Sequence, residues 1–269
     1  MDKLIITLAP TGNVPTKKLN PHSVTTTSEI VSDLKACEAL GASVAHLHVR
    51  DKLENPTSDR QLFKELLDAI KKENIKMITQ LSTGARGGEN TIAYRGQMLD
   101  LNCEMASLST GSSNFPTSIN GNSPELIEAL ATKMLHNHIK PEIEVFDSAM
   151  IRNAEYLVKK GVLKSDLHFN LVMNVPGSIA GTPRNLMFLI ESLPKGATFS
   201  VSGIGKAQIN MLTMAILMGG HVRTGLEDVL HQDGSYATNV SLIKQVVAIA
   251  HALKREIATP DEARGILSL

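Results

Sequence analysis

Residues 43–51 read SVAHLHVRD, a run of small and β-branched apolar residues that sets His46 and His48 two positions apart. Side chains alternate along a strand, so the two histidines share one face while Ala45, Leu47 and Val49 take the other. The segment reads as a strand with an apolar back and an ionisable front. Comparable short runs recur at LIITLAPTG (4–12), KMITQLSTG (76–84), MASLSTG (105–111), PEIEVFD (141–147), LHFNLVMN (167–174), TFSVSGIG (198–205) and GHVRTGLED (220–228). Between most of them lie segments of helical periodicity. TTSEIVSDLKACEALGA opens on a Ser/Thr cap with an early Glu29 and closes on Gly41, and the segments 58–75, 123–138, 182–193, 206–220 and 239–253 behave the same way. Eight strands alternating with helices over 269 residues predict an α/β fold, a single-domain (β/α)8 TIM barrel spanning residues 1–269. The competing open, doubly wound sheet would carry a G-x-G-x-x-G turn after its first strand. APTGNVPT (9–16) lacks that pattern.

Composition narrows the function. Lys and Arg (27) balance Asp and Glu (27), so the basic footprint of a nucleic-acid or anionic-membrane binder is missing. A small-molecule partner is expected. No apolar run is long enough to span a membrane, and the N-terminus does not read as a signal peptide, which predicts a cytoplasmic protein. Cys37 and Cys103 lack paired spacing and read as buried thiols. No linker-like stretch divides the chain.

In a barrel the face carrying His46 and His48 points inward near the catalytic, C-terminal end of its strand. The same alternation puts Gln80 with Ser82, Ser107 with Ser109, Glu142 with Glu144, His168 with Asn170, and Arg223 with Glu227. Barrel interiors are usually filled by Val, Ile and Leu, and a polar ring is costly unless something pairs with it. A lone histidine in such a place is readily a core residue satisfied by neighbours. Two at this spacing, with carboxylates arriving from other strands, suit one first-row metal with an open position for substrate. Glu227 is the preferred third ligand, and Glu144 its competitor. Asp228 beside Arg223 is either an Arg-held base or an ordinary salt bridge. Gly203 and Gly205, before a helix start, form a weak phosphate-site candidate. The loop 82–88, STGARGG, is a second glycine-rich turn, whose Ser82 is a substrate donor or a turn residue. His22, His136, His138, His231 and His251 read as surface residues.

APTGNVPTKKLNP, GASVAHLHVRD, QLSTG, EMASLSTGSSNF, PEIEVFDSAM, GHVRTGLED and REIATPDEARGIL resemble, in order and spacing, the β-keto acid cleavage enzymes, from about residue 3 onward. The resemblance implies a zinc-dependent barrel, usually a homotetramer, that reacts a β-keto acid with acetyl-CoA to give acetoacetate and a new acyl-CoA. It implies His46, His48 and Glu227 as zinc ligands, Asp228 paired with Arg223 as the base, Ser82 as a substrate contact, Ser107 in place of a threonine, and Glu144 near the base. The expected chemistry has Asp228 taking a proton from the acetyl-CoA methyl group, with Ser82 and Ser107 as hydrogen-bond donors. Where the branch acting on an aminated β-keto acid reads TGAE, this chain reads TGNV, with Val14 in the glutamate's place. An ammonium facing Val14 in a dry pocket would lack its ion pair, so a substrate with an uncharged tail is expected. The alternatives are an amidohydrolase-type metal hydrolase, whose H-x-H normally lies on the first strand rather than the second, and an acyl-CoA lyase or aldolase that needs no acetyl-CoA.

Overall fold

The computed structural model describes residues 2–84, 88–115 and 118–269, so residues 85–87 of the STGARGG loop lie outside the described residues. Eight parallel strands close a barrel: β1 (Ile6–Leu8), β2 (Val44–Leu47), β3 (Ile78–Leu81), β4 (Met105–Ser109), β5 (Lys140–Val145), β6 (His168–Met173), β7 (Thr198–Gly203) and β8 (His221–Thr224), with β1 hydrogen-bonded to both β2 and β8. This is the predicted (β/α)8 fold. Outward residues such as Leu47, Leu108, Ile143, Leu171 and Val222 are fully buried under the helices.

The helices are α1 (Thr27–Glu38), α2 (Arg60–Lys72), a single turn α3 (Ile92–Arg95), α4 (Pro124–His136), α5 (Ser148–Lys159), α6 (Pro183–Glu191), α7 (Gln208–Leu217), α8 (Asn239–Ala252) and α9 (Pro260–Leu267). Their starts follow local chemistry. Thr26, Asp59, Ser123, Asp147, Thr182, Thr238 and Thr259 each accept a backbone N–H of the first turn, a cap that contributes about 1 kcal/mol. Helix α7 lacks such a side chain and continues instead from a 3-10 turn at Gly205–Ala207.

Helices α3, α5 and α9 lie outside the predicted helical segments, although α5 and α9 carry clear cap signals. Asp147 begins α5, and Thr259 with Glu262 forms a capping box at α9. Helix α9 has a structural task. Ala263 and Leu267, with Ala258 just before the helix, pack against Ile5, which precedes β1, and Val44, Ile78 and Met105, the first residues of β2 to β4, and lay an apolar floor across the barrel. Above that floor the interior is polar: His46, Gln80, Ser107, Glu142, Asn170, Ser202 and Arg223 are all buried.

Three short hairpins rise past the C-terminal ends of β2, β4 and β8, pairing Val49–Arg50 with Pro56–Thr57, Ser113–Asn114 with Ile119–Asn120, and His231–Gln232 with Ser235–Tyr236. The stretch 43–51 therefore does not run on as one strand. It leaves the barrel at His48 and turns into the first hairpin. Two-residue pairings carry too little periodicity to be read from sequence.

Candidate active site

His46 closes β2 one residue before its end, and His48 follows immediately. Their Nε2 atoms lie 3.2 Å apart, and Glu227 Oε2 is 3.6 Å from the first and 3.4 Å from the second. Tetrahedral coordination with ligand bonds of 2.0–2.2 Å places ligand atoms roughly 3.3–3.6 Å from one another, so the three donors already lie close to the edges of such a site. Glu227 Oε2 is buried and has no hydrogen-bond partner among the described residues. That orphan oxygen, facing two imidazole nitrogens, fits a divalent cation. A second grouping of His46 with Glu142 and Glu144 is also compact. Its carboxylates are engaged elsewhere: Glu142 meets His168 at 3.5 Å and Asn170 at 3.4 Å, while Glu144 meets Arg223 at 3.3 Å and Ser109 at 3.2 Å. The predicted trio is therefore the better cation site.

Glu227 reaches it by a route that strand alternation does not describe. Strand β8 ends at Thr224, and a continued strand would send Glu227 and Asp228 to opposite faces. The chain turns at Gly225, which has φ +150° and packs so closely on the Ala9 carbonyl that a Cβ has no room. Glu227 N–H donates to Ala9 O (3.2 Å), and Asn239 at the start of α8 braces the turn by accepting from Leu226 N–H (2.9 Å) and donating to Pro10 O (3.0 Å) and Asp33 Oδ2 (2.8 Å). Gly12, on the neighbouring loop, leaves the space that the Glu227 side chain fills. Both carboxylates consequently converge on the Arg223 guanidinium. Arg223 donates Nε–H to Asp228 Oδ2 (3.1 Å) and Nη2–H to Asp228 Oδ1 (2.9 Å), and also meets Glu227 Oε1 (2.8 Å) and Glu144 Oε1 (3.3 Å).

Burial and this one guanidinium divide the carboxylates. Burial pushes the Asp228 carboxyl up to about 6 against the pull of Arg223. It pushes Glu144 up to about 7, with Arg223 again opposing. Glu227 is also raised by burial, but Arg223, His48 and His46 together hold it far below the ordinary carboxylate range. Burial lowers His46 to about 4, so its imidazole is neutral at pH 7. Glu142 is held below its usual value by His168, against burial. The Arg223 guanidinium is held charged by its carboxylates, against burial.

Ser82 follows the last residue of β3, and Ser107 lies in the middle of β4. The Ser82 hydroxyl accepts Gly84 N–H (3.2 Å) and the Ser107 hydroxyl accepts Thr83 N–H (3.2 Å), which leaves each O–H proton available to donate. Ser82 N–H donates to Leu47 O (3.0 Å), which ties it between the two histidines. Val14 is 48% exposed in the single chain, on the loop after β1. Gly205 N–H donates to Asp228 O (2.9 Å), and Gly203 packs on the Gln208 backbone, so this turn serves helix packing and offers no free Gly205 amide to a phosphate.

Three buried residues escaped sequence reading. Arg50 shares the histidines' parity, which was a usable signal, and donates to the carbonyls of Gly12, Pro15 (2.7 Å) and Glu54 (2.7 Å), holding the loop that carries Val14. Arg95 donates to Thr83 O (2.6 Å), Gly121 O (2.8 Å) and Asn122 Oδ1 (2.8 Å), fastening the loop beyond Ser82; nothing in IAYRG marks it as buried. His221, at the base of β8, accepts Ile5 N–H through Nδ1 (3.1 Å). The five surface histidines are all exposed, as expected.

Among known proteins, the family model described as beta-keto acid cleavage enzyme matches residues 3–269. The 3-keto-5-aminohexanoate cleavage enzyme of Acetoanaerobium sticklandii is 44% identical over 100% of this chain and 99% of its own length. The 3-oxoadipate:acetyl-CoA acetyltransferase of Cupriavidus necator is 39% identical over 98% of this chain and 94% of its own. Among solved structures, the ternary complex of ObcA with C4-CoA adduct and oxalate superposes with a TM-score of 0.77 at 19% identity, covering 93% of this chain and 68% of that one, a likeness of fold. On the whole-chain match and these identities, the chain belongs to the beta-keto acid cleavage enzyme family.

Proposed function

We propose that this chain is a zinc-dependent enzyme that converts a β-keto acid and acetyl-CoA into acetoacetate and a new acyl-CoA. The observation that carries the proposal is Glu227 Oε2, without a hydrogen-bond partner among the described residues, facing His46 and His48 next to an Asp228 clamped by Arg223, in a chain of this family. A divalent cation bound by His46, His48 and Glu227 supplies Lewis-acid polarisation of the substrate's oxygens. Two histidines and a carboxylate also accept iron or manganese, and zinc follows from the family resemblance.

Carbon balance relocates the proton step expected from the sequence. Acetoacetate ends in a methyl ketone, so the acetyl group must be joined through its carbonyl carbon, and its methyl cannot be the nucleophile. Asp228, oriented by Arg223, instead takes a proton from the methylene between the ketone and carboxylate of the β-keto acid. The resulting carbanion attacks the acetyl-CoA carbonyl, a C–C bond forms, and the coenzyme A thiolate leaves. The thiolate then adds to the original ketone, the bond between that ketone carbon and the former methylene breaks, and acyl-CoA departs. The acetoacetate carbanion recovers its proton from Asp228. Ser82 and Ser107 have free O–H donors for the developing oxyanions, and Glu144 holds the far side of Arg223.

Val14 in place of a carboxylate favours a tail without positive charge, and its exposure reduces the penalty for a misfit amine to a modest one. A homotetramer in the cytoplasm completes the proposal; among the described residues no helix is long and apolar enough to cross a membrane. The test is a panel of β-keto acids, plain and aminated, incubated with acetyl-CoA and metal-analysed protein, with acetoacetate and acyl-CoA followed by mass spectrometry. Plain-tailed substrates should turn over and the amine should lag. Acetoacetate from the amine alone would refute the tail assignment, and cleavage without acetyl-CoA would refute the acyl transfer.

A further inference from the structure

Gln80 lies on β3 directly beside His46 on β2, and both side chains are buried. Its Oε1 is 2.6 Å from His46 Nδ1, while its Nε2 has no hydrogen-bond partner among the described residues. A buried donor left unpaired costs about 1–3 kcal/mol, and an apolar residue at this inward position would avoid it. The arrangement makes sense through the imidazole. A histidine that ligates through Nε2 is neutral and carries its proton on Nδ1, where it needs an acceptor. Turning the Gln80 amide over would set an N–H against Nδ1 and drive the proton to Nε2, where it would block the lone pair facing His48 and Glu227. Only the orientation with Oε1 toward His46 leaves Nε2 free.

We propose that Gln80 is a positioning residue of the metal centre: its amide oxygen fixes His46 as the Nδ1–H tautomer and aims Nε2 at the cation. Gln80 is also neutral, whereas histidine ligands often rest on carboxylates that make them more basic. Glu227, Asp228, Glu144 and Glu142 already crowd this interior with carboxylates. An amide orients the ring without adding a further negative charge, so the cation keeps more of its pull on substrate. This rests on His46, His48 and Glu227 being the metal ligands.

The experiment uses zinc and a competing chelator, with wild type, Gln80→Met and Gln80→Glu. Methionine keeps the volume and removes the acceptor; glutamate keeps the acceptor and adds charge. Gln80→Met should bind zinc on the order of 10- to 100-fold more weakly. In the metal-free variant, 15N-histidine spectra should show His46 divided between tautomers, where wild type shows Nδ1–H alone. Gln80→Glu should hold zinc at least as tightly as wild type while turning over more slowly. Unchanged affinity in Gln80→Met, or a wild-type His46 protonated at Nε2, overturns the proposal. Should Gln80→Met not fold, weaker zinc binding in Gln80→Glu would overturn it. Absence of zinc binding by wild type would instead defeat the ligand assignment.

Discussion

Removing Arg223 is the severest single test of how the interior is held together. Arg223→Met keeps most of the volume and strips the cation from Asp228, Glu227 and Glu144, which meet it at 2.9, 2.8 and 3.3 Å. Breaking a buried ion pair by deleting one partner costs about 3–5 kcal/mol. Here the carboxyls have an escape, because they can take up protons. With Arg223 in place Asp228 already sits near 6, so protonating it at pH 8 costs about 3 kcal/mol at roughly 1.4 kcal/mol per pH unit, and removing the guanidinium lowers that cost. The expected loss in metal-free protein at pH 8 is therefore about 3–5 kcal/mol, a large share of a typical domain's stability of about 5–15 kcal/mol. The sign with pH follows from the raised carboxyls. Folded Asp228 and Glu144 hold protons that the unfolded chain releases near 4, so each contributes stability at low pH that fades as pH rises through about 6 and 7. Losing Arg223 raises both further, so the deficit should shrink by more than about 1 kcal/mol at pH 5.5. Urea unfolding followed by circular dichroism at both pH values measures it. A loss under about 1 kcal/mol at pH 8, or a deficit that grows on acidification, would show that Arg223 does not hold these carboxylates together.

Asp228→Asn should keep metal stoichiometry and lower kcat by on the order of 10²- to 10⁴-fold, and a normal rate would remove Asp228 as the base. Because the base must be ionised, activity should rise with pH along an acid limb centred at or below about 6, the bound cation pulling Asp228 down from its metal-free position. A limb centred above 7 would point to another group. Gly12→Ala places a methyl group against the Glu227 side chain, 2.8 Å from Cδ, and should weaken metal binding at least tenfold while the far-ultraviolet spectrum stays unchanged; unaltered affinity in a chelator titration would show that Glu227 has room to move.

The barrel was legible because each strand carries its own period-two pattern and most helices announce their caps. The site was legible where alternation applies, as for His46, His48 and Gln80. Glu227 and Asp228 both meet Arg223 through the turn at Gly225, a geometry that alternation cannot represent. Arg95 and Asn239 were illegible because their partners are backbone carbonyls and loop amides set by tertiary contact, and a polar residue in a loop or helix start looks alike whether solvated or buried. The hairpins are too short to show a period, and α9, eight residues long, has little more than two turns to show one.

The closure of β1 onto β8 also sets a schedule for biosynthesis. Ile5 and His221, which hydrogen-bond at that seam, are 216 positions apart in the chain. At ribosomal speeds of about 5–20 residues per second, β1 emerges roughly 10 to 40 s before its second neighbour exists. Throughout that interval its outer edge is an unpaired template for other strands, and the polar interior has neither its last wall nor its floor. The nascent chain should accordingly depend on chaperone shielding most heavily just before β8 appears, and a ribosomal pause placed there should increase aggregation more than one of equal length placed after α9.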